Sequence, residues 1–285
     1  GSGAGRESFI SGAVQFAGSD RAFNDTEMEG TFAGCAADSK ALNLPVYISP
    51  IAIIFNVEGV EELRLTPEVV ARIFSGQITS WSDPAIAATN EGVTFPDTPI
   101  TAVHRADDSG TTENFTDYLH QAAGDVWTEE ADGLWPTAFG GESAQGTSGV
   151  VDAVSGGQGT IGYADASQAG SLGVVQVESG TVFVGPTAED AAALVDASPV
   201  VEGRPEHDYA LELDRTADGA YPIALVSYAL VCESYADADV AELVKAYIGY
   251  IVSDEGQQAA AGAAGSAPLS SDMQANLQAS VESIS

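Results

Sequence analysis

The sequence is poor in positive charge and in cysteine, and it has no long apolar run. Nine basic residues, of which only Lys40 and Lys245 are lysines, stand against 42 acidic residues, and the net charge at pH 7 is −33. Such a surface repels nucleic acids and anionic membranes, so neither is expected as a partner. The longest apolar runs, such as residues 51–55 and 223–226, are much too short to cross a bilayer.

The composition is otherwise that of a globular protein. A chain of 285 residues with 45% hydrophobic residues has enough apolar material for one large domain or two of ordinary size. The acidic residues are spread along the chain rather than collected in one tail, which indicates a folded, solvated surface. This surface also repels small anions at long range, so any anion site must depend on a local cation and on helix N-termini.

One stretch predicts a strand, a polar turn and a helix in succession. After the β-prone residues 100–103, apolar side chains recur with helical spacing from Phe115 onward. Ser109, Gly110 and Thr111 therefore fall at the start of the helix, where the first backbone N–H groups have no partner inside the helix. Because small residues admit an anion to these amides and two hydroxyls add donors, the pattern predicts an oxyanion-binding turn.

Arg105 lies just before this turn. Its planar guanidinium has a fork of N–H groups that suits a tetrahedral oxyanion, and Asp107 is spaced to hold that guanidinium in place. An ordinary surface ion pair followed by an ordinary helix cap would give the same pattern. This stretch alone therefore leaves both interpretations open.

Two enzymatic interpretations compete with binding. Residues 108–111 repeat the Asp-Ser/Thr-Gly-Thr signature of aspartic proteases, but these enzymes need two such carboxylates and no second copy occurs. A phosphatase or other hydrolase using Ser109 or Asp108 would need a base or a metal beside the nucleophile. None of the three histidines has metal-ligand spacing: His104, His120 and His207. We therefore expect neither catalytic residues nor a metal site.

Two long β-rich runs, residues 44–56 and 221–231, predict crossings between two α/β lobes. The first run contains Pro45 and Pro50, and we expect it to be too long and too interrupted for one strand. The predicted division is a discontinuous lobe I, residues 1–45 and 226–285, and an inserted lobe II, residues 46–225.

The two ends of the chain complete this outline. A Gly-rich opening leads into a short helix and then into a strand predicted from Val14. Ser2 would lie at the helix N-terminus and Asp20 at the carboxyl end of the strand, where open α/β sheets bind ligands; residues 1–5 would alternatively be a linker. Two helices, from about 238 to 251 and from 272 to 281, are expected to close the chain.

Several motifs in this order resemble those of the PstS-type phosphate-binding proteins, the substrate-binding proteins of bacterial phosphate ABC transporters. The motifs are residues 1–5, 16–20, 73–84, 104–112, 159–163 and 221–223. The resemblance covers most of the chain. It implies an α/β, bilobal, type II periplasmic-binding-protein-like fold, in which two lobes joined by hinge strands close on one phosphate.

The resemblance also implies a set of phosphate ligands. They are Ser2, Asp20, Arg105, Ser109, Gly110 and Thr111, with Asp107 orienting Arg105. Asp20 would accept a hydrogen bond from a protonated phosphate oxygen. Sulfate has no proton to give at neutral pH, so Asp20 would discriminate against it. A binder of another oxyanion, such as sulfate, molybdate or phosphonate, is the alternative.

The family's biology sets further expectations. The resemblance implies a monomer without a cofactor or turnover that captures inorganic phosphate in the periplasm or at the cell surface and delivers it to a membrane permease. Family members have a strand, a small-residue loop and a helix before the Gly-Ser-Gly segment. We therefore expect lobe I as printed to lack its leading strand and part of the phosphate cage, and any lipid-modified cysteine to lie upstream of Gly1.

The two cysteines, Cys35 and Cys232, lack the close spacing of a zinc or redox motif. They form either two buried thiols or, in an exported protein, one long-range disulfide. The export that the resemblance implies favours the disulfide.

Overall fold

The computed structural model describes the whole chain, Gly1–Ser285, and divides it into two compact units. Unit 1 contains Gly1–Ser49, Val195–Leu213 and Leu225–Ser285, and unit 2 contains Pro50–Leu194 and Asp214–Ala224. The segment 195–213 thus belongs with unit 1, whereas the predicted lobe boundaries place it in lobe II. None of the helices has both the length and the apolar content of a membrane span.

Unit 1 combines a short antiparallel sheet with helices. Its elements are α1 (Ser2–Ile10), β1 (Ala17–Ser19), α2 (Asp25–Met28), the first part of β2 (Ala41–Asn56), most of β9 (Ala224–Cys232), α8 (Ala238–Ile251), α9 (Asp254–Ala264) and α10 (Ser271–Ser283). In the sheet, β9 lies between β1 and β2. The register of β1 and β9 places Ser19 opposite Tyr228.

Close packing of α1 against β1 brings the start of the helix to the end of the strand. A Cβ atom on Gly5 would lie 2.5 Å from the Gly18 carbonyl oxygen, so only glycine permits this approach. Beneath the helix, the rings of Phe9, Phe23 and Phe32 pack together with centroid distances of 5.2–6.0 Å. This buried cluster fixes the position of α1.

Unit 2 has the alternating strands and helices of an α/β domain. Its elements include β3 (Leu63–Leu65), α3 (Pro67–Phe74), α4 (Pro84–Ala87), β4 (Thr101–Arg105), α5 (Gly110–Ala122), β5 (Glu142–Ala144), α6 (Gly146–Gly156), β6 (Thr160–Asp165), β7 (Gly173–Ser179), β8 (Val182–Val184) and α7 (Ala188–Ala197), whose last residues fall in unit 1. The strand order is β2–β6–β4–β5. Strands β4, β5 and β6 are parallel to one another, so α5 and α6 both begin at the same edge of the sheet.

The apolar core of unit 2 sets the position of α6. Val150 and Val154 on α6 are fully buried against a sheet face that includes Ile54 and Val103. A Cβ atom on Gly162 of β6 would lie 2.9 Å from Val154 and 3.0 Å from Val150. The missing side chain at Gly162 therefore lets α6 lie directly on the sheet, with its N-terminus beside the end of β4.

The prediction that residues 44–56 are too interrupted for one strand is wrong, because Ala41–Asn56 is a single strand of 16 residues. Pro45 and Pro50 each remove one backbone N–H from the hydrogen bonding of the strand. The φ angle of proline is nevertheless compatible with extended backbone, and a proline also favours extended backbone at the residue before it. The prolines therefore limit pairing without ending the strand. Beyond Pro50, residues 51–56 pair with β6.

Two further predictions at the chain ends need correction. The first strand begins at Ala17 rather than at Val14, and a third helix, α9, lies between the two that were predicted. The buried residues of α9 include only Gly256 and Gln257, so the helix has no stripe of large apolar side chains to reveal its period.

Cys35 and Cys232 form a disulfide with a Cα–Cα distance of 5.4 Å. The bond joins two parts of unit 1 that are 197 residues apart in sequence. Cys232 is fully buried in β9, so the bond links the strand beside β1 to the loop that precedes β2.

Replacing both cysteines, Cys35→Ala together with Cys232→Ala, should lower the free energy of unfolding by about 2–5 kcal/mol, because the disulfide restricts the unfolded chain. Urea unfolding followed by circular dichroism measures the change. Dithiothreitol should shift the wild-type midpoint in the same direction and leave that of the double variant unchanged. Equal midpoints for wild type and double variant would contradict this expectation.

Candidate anion-binding residues

The guanidinium of Arg105 is gripped on one edge by Asp107. Arg105 is the last residue of β4, and its Nε and Nη2 donate to the two carboxylate oxygens of Asp107 at 2.8 and 2.6 Å. The Arg105 residue is 7% exposed. Asp107 thus accepts one N–H from Nε and one from Nη2, which is the bidentate geometry typical of an arginine–carboxylate pair.

The start of α6 completes the surroundings of this ion pair. Arg105 Nη1 donates to Thr147 Oγ1 at 3.2 Å, and the backbone N–H of Gly146 donates to Asp107 Oδ1 at 3.1 Å. The segment around Thr147 reads as a helix entrance from its Gly, Ser and Thr residues, but the sequence assigns it no role. Its partner lies 42 residues away, and only the parallel pairing of β4 with β5 brings the two together.

These bonds use three of the five N–H groups of Arg105. One N–H on Nη1 and one on Nη2 remain for a ligand. The remaining Nη2 proton points away from the edge that Asp107 occupies. This end of the guanidinium suits a tetrahedral oxyanion.

The start of α5 offers further donors close to Arg105 in sequence. Ser109 is the N-cap of α5, and its Oγ accepts from the Thr112 N–H at 3.3 Å. The Ser109 backbone N–H donates to the Gly133 carbonyl at 3.0 Å, so Ser109 keeps its hydroxyl proton, and not its amide, for a ligand. The amides of Gly110 and Thr111 are in the first turn and have no acceptor within the helix. Thr111 is 5% exposed.

Tyr163 of β6 holds the two parts of this arrangement together. Its hydroxyl accepts from the Arg105 backbone N–H at 3.3 Å and lies 2.8 Å from Thr112 Oγ1. Burial raises the pKa of Tyr163 to about 12, so the phenol stays neutral. Its ring stacks on Phe115 with a centroid distance of 4.4 Å, which fixes the hydroxyl.

The polar residues next to this arrangement are His104 and Asp108. His104 is half-buried and stacks on Trp135 at 4.7 Å, and its Nδ1 lies 3.0 Å from the Arg105 carbonyl oxygen. Burial lowers the pKa of His104. Asp108 is exposed, and its Oδ1 lies so close to Gly133 that a Cβ atom there would clash with it. No set of three or more His, Cys, Asp or Glu side chains is arranged to hold a metal.

In unit 1, the carboxylate of Asp20 lies between two serine hydroxyls. Ser2, in the first turn of α1 and 5% exposed, donates through Oγ to Asp20 Oδ2 at 3.1 Å and accepts from the Asp20 N–H at 3.0 Å. Ser227 of β9 donates to the other oxygen, Oδ1. The sequence predicts Ser2 and Asp20 as ligands but gives no sign of Ser227, which is 207 residues from Asp20.

A second polar network holds the loop after Asp20. Arg6 on α1 donates to Ser19 Oγ at 3.1 Å and to Glu27 at 3.3 Å, while Arg21 donates to both oxygens of Glu27 at 2.6 and 3.0 Å. Burial raises the pKa of Glu27, but the bonds from Arg21 and from the Asn24 backbone outweigh it and lower the pKa overall. These bonds connect α1 to the end of β1 and to the loop that follows β1.

The fold class of the chain follows from its similarity to known proteins. The PBP superfamily domain matches residues 1–255. A high-affinity periplasmic phosphate-binding protein, PfluDING, solved with phosphate bound at pH 8.5, superposes with a TM-score of 0.78 and 25% identity, covering 98% of this chain and 85% of the other. An ABC-type phosphate transport receptor from Vibrio cholerae has a similar fold, with a TM-score of 0.57 at 19% identity over 92% and 83% of the two chains. The fold is that of the type II periplasmic-binding-protein class.

Relatives with higher sequence identity show to which family of this class the chain belongs. Phosphate-binding protein PstS 3 of Mycobacterium leprae is 37% identical in an alignment that covers 87% of this chain and 68% of the relative. Phosphate-binding protein PstS 2 of Mycobacterium tuberculosis is 34% identical in an alignment that covers 100% of this chain and 78% of the relative. The chain therefore belongs to the PstS family of phosphate-binding proteins, as its motifs predict.

The ion pair makes stability depend on pH through Asp107. Hydrogen bonds from Arg105, aided by the Gly146 amide and opposed by burial, lower the pKa of Asp107 from its ordinary value of 3.8 to about 2. A lowered carboxyl pKa contributes stability above the unfolded value, and this contribution is lost as pH falls. The advantage of wild type over Asp107→Asn should be constant above about pH 5 and shrink between pH 3.8 and 2. Urea midpoints across this range measure it, and a constant advantage down to pH 2 would contradict it.

Proposed function

We propose that this protein binds hydrogen phosphate, with Ser2 and Asp20 of unit 1 and Arg105, Ser109, Gly110 and Thr111 of unit 2 as its ligands. The observation that carries the proposal is the guanidinium of Arg105. Asp107 fixes it just before the first turn of α5 in sequence, and two of its five N–H groups have no acceptor within the protein. Membership of the PstS family supports phosphate as the ligand, since the relatives are named for it.

Helix N-termini explain how a chain of charge −33 attracts an anion. Arg105 and Asp107 together are neutral, so the guanidinium alone adds no net positive charge. The first turn of α5 adds partial positive charge and free amides. Binding is therefore local, through directed N–H and O–H donors, and does not depend on the field of the whole surface.

Asp20 supplies the selectivity. Its carboxylate, with hydroxyl donors on both oxygens, acts as an acceptor and needs a proton from the ligand. Hydrogen phosphate has that proton and sulfate at neutral pH does not. A sulfate would give the carboxylate no hydrogen bond and would place a second negative charge beside it, which costs roughly 1.5–3 kcal/mol for the lost charged hydrogen bond and adds repulsion.

We further propose that the protein works outside the cytoplasm and passes phosphate to the permease of an ABC transporter. The family and the periplasmic phosphate-binding protein of similar structure support this location, and the disulfide fits an oxidising compartment. The proposed role is that of a monomer without turnover. Anchoring by an upstream lipid and the lobe boundaries 1–45, 226–285 and 46–225 remain predictions.

Phosphate should bind at least about 100-fold more tightly than sulfate, and Asp20→Asn should reduce this preference by roughly 10–100-fold, because the amide can donate to an unprotonated oxygen. Isothermal titration of phosphate-free protein with each anion at pH 7.5 measures both values. Equal affinity of the wild type for the two anions would favour a general oxyanion binder. Hydrolysis of a chromogenic phosphate ester that Ser109→Ala abolishes would favour a phosphatase.

Arg105→Lys should weaken phosphate binding by roughly 10–100-fold, because an ammonium cannot hold Asp107 along one edge and offer a second edge to the ligand. The matched control is Arg72→Lys, which changes the exposed arginine that pairs with Glu68 at 3.7 Å and should leave affinity unchanged. Titration calorimetry compares the two. Retained affinity in Arg105→Lys would show that the fork is not used.

A further inference from the structure

Ser227 lies directly opposite Asp20 across a pair of antiparallel strands. The register of β1 and β9 pairs Ser19 with Tyr228 and Gly18 with Ala229, so Asp20 continues the register opposite Ser227. Side chains of directly opposed residues in an antiparallel pair lie on the same face, close enough to touch. The hydroxyl of Ser227 donates to Asp20 Oδ1 accordingly.

The two hydroxyls that hold Asp20 are not equivalent. Ser2 donates its single proton to Asp20 Oδ2 at 3.1 Å, yet Ser2 is itself among the proposed phosphate ligands. To donate to phosphate, Ser2 must release Asp20. Ser227 belongs to the strand that pairs with β1 and is not among the proposed ligands, so its bond to Oδ1 can persist when phosphate is bound.

We propose that Ser227 is a positioning residue for phosphate selectivity. It fixes Asp20 Oδ1, so that Oδ2 faces the protonated oxygen of hydrogen phosphate when the Ser2 hydroxyl turns to the ligand. This inference rests on the proposed function and extends it to a residue that does not touch the ligand. Without the Ser227 hydroxyl, Oδ1 would lose this hydrogen bond, and the carboxylate would be less well aligned with the ligand's proton.

A purely structural role for this hydroxyl can be separated from a positioning role. Ser227 is half-buried, between Val226 and Tyr228, which are 1% and 3% exposed. The flanking side chains therefore supply the packing of β9, and the loss of one hydroxyl should leave the strand intact. Threonine and valine have nearly the same shape and both favour strands, but only threonine keeps the hydroxyl.

The experiment compares Ser227→Thr, Ser227→Val and Ser227→Ala by isothermal titration with phosphate and with sulfate. We expect Thr to stay within about threefold of the wild-type affinity for phosphate, and Val and Ala to lose roughly tenfold or more, the size of one hydrogen bond to a charged group. Sulfate affinity should change little in all three, so the loss appears as reduced discrimination. Ser280→Ala, which removes a buried hydroxyl from α10, is the matched control and should bind as wild type does.

A second arm repeats Ser227→Val in the Asp20→Asn background. If Ser227 acts through Asp20, the valine should have little further effect there. A similar loss in both backgrounds, or an equal loss of phosphate and sulfate binding, would overturn the positioning role. Unchanged binding in Ser227→Val would overturn it too and leave the proposed function standing. Failure of the wild-type protein to bind phosphate would instead overturn the proposed function itself.

Discussion

The arrangement of the candidate site depends on how Asp107 holds Arg105. A free guanidinium has five N–H groups and many orientations, but the two bonds of 2.8 and 2.6 Å to Asp107 select one edge and leave the other. The amide of Gly146 holds Asp107 in turn. Arg105 is thereby kept from pairing with other carboxylates of this acidic chain. Its remaining donors are fixed before a ligand binds, which lowers the entropic cost of binding.

Asp107 of unit 2 and Asp20 of unit 1 have different partners, and their proposed roles differ accordingly. Asp107 accepts hydrogen bonds from Arg105 and from a helix amide, so its charge is neutralised within the protein and it does not bind the ligand itself. Asp20 accepts hydrogen bonds from two serine hydroxyls. In the proposed site, its carboxylate excludes an anion that brings no proton. In the proposed site, attraction depends on Arg105, which Asp107 orients, and discrimination depends on Asp20, so one can be altered without the other.

Sequence reasoning succeeded where the evidence is local. Arg105 and Asp107 are two residues apart, and the cap at Ser109 follows from spacing within one turn, so both are visible in a short window. Thr147 and Ser227 are not, because strand register brings them to partners 42 and 207 residues away. The prolines of Ala41–Asn56 misled in another way, since they mark lost hydrogen bonds and not the end of extended backbone. Helix α9 has no stripe of large apolar side chains and so gave no signal.

The count of hydroxyl protons constrains how phosphate enters. Ser2 has one proton and donates it to Asp20, while Ser109 accepts from Thr112 and keeps its proton free. The two serines thus begin from different states: Ser109 is ready to donate, and Ser2 must exchange one acceptor for another. In the proposed site, an exchange of this kind costs little, because the bond from Ser2 to Asp20 is replaced by a bond to phosphate, and the proton of the ligand takes the place of the Ser2 proton on Asp20. The loss of the Ser2 bond and the gain of the bond from phosphate would therefore be one coupled step, which a fully deprotonated anion cannot complete.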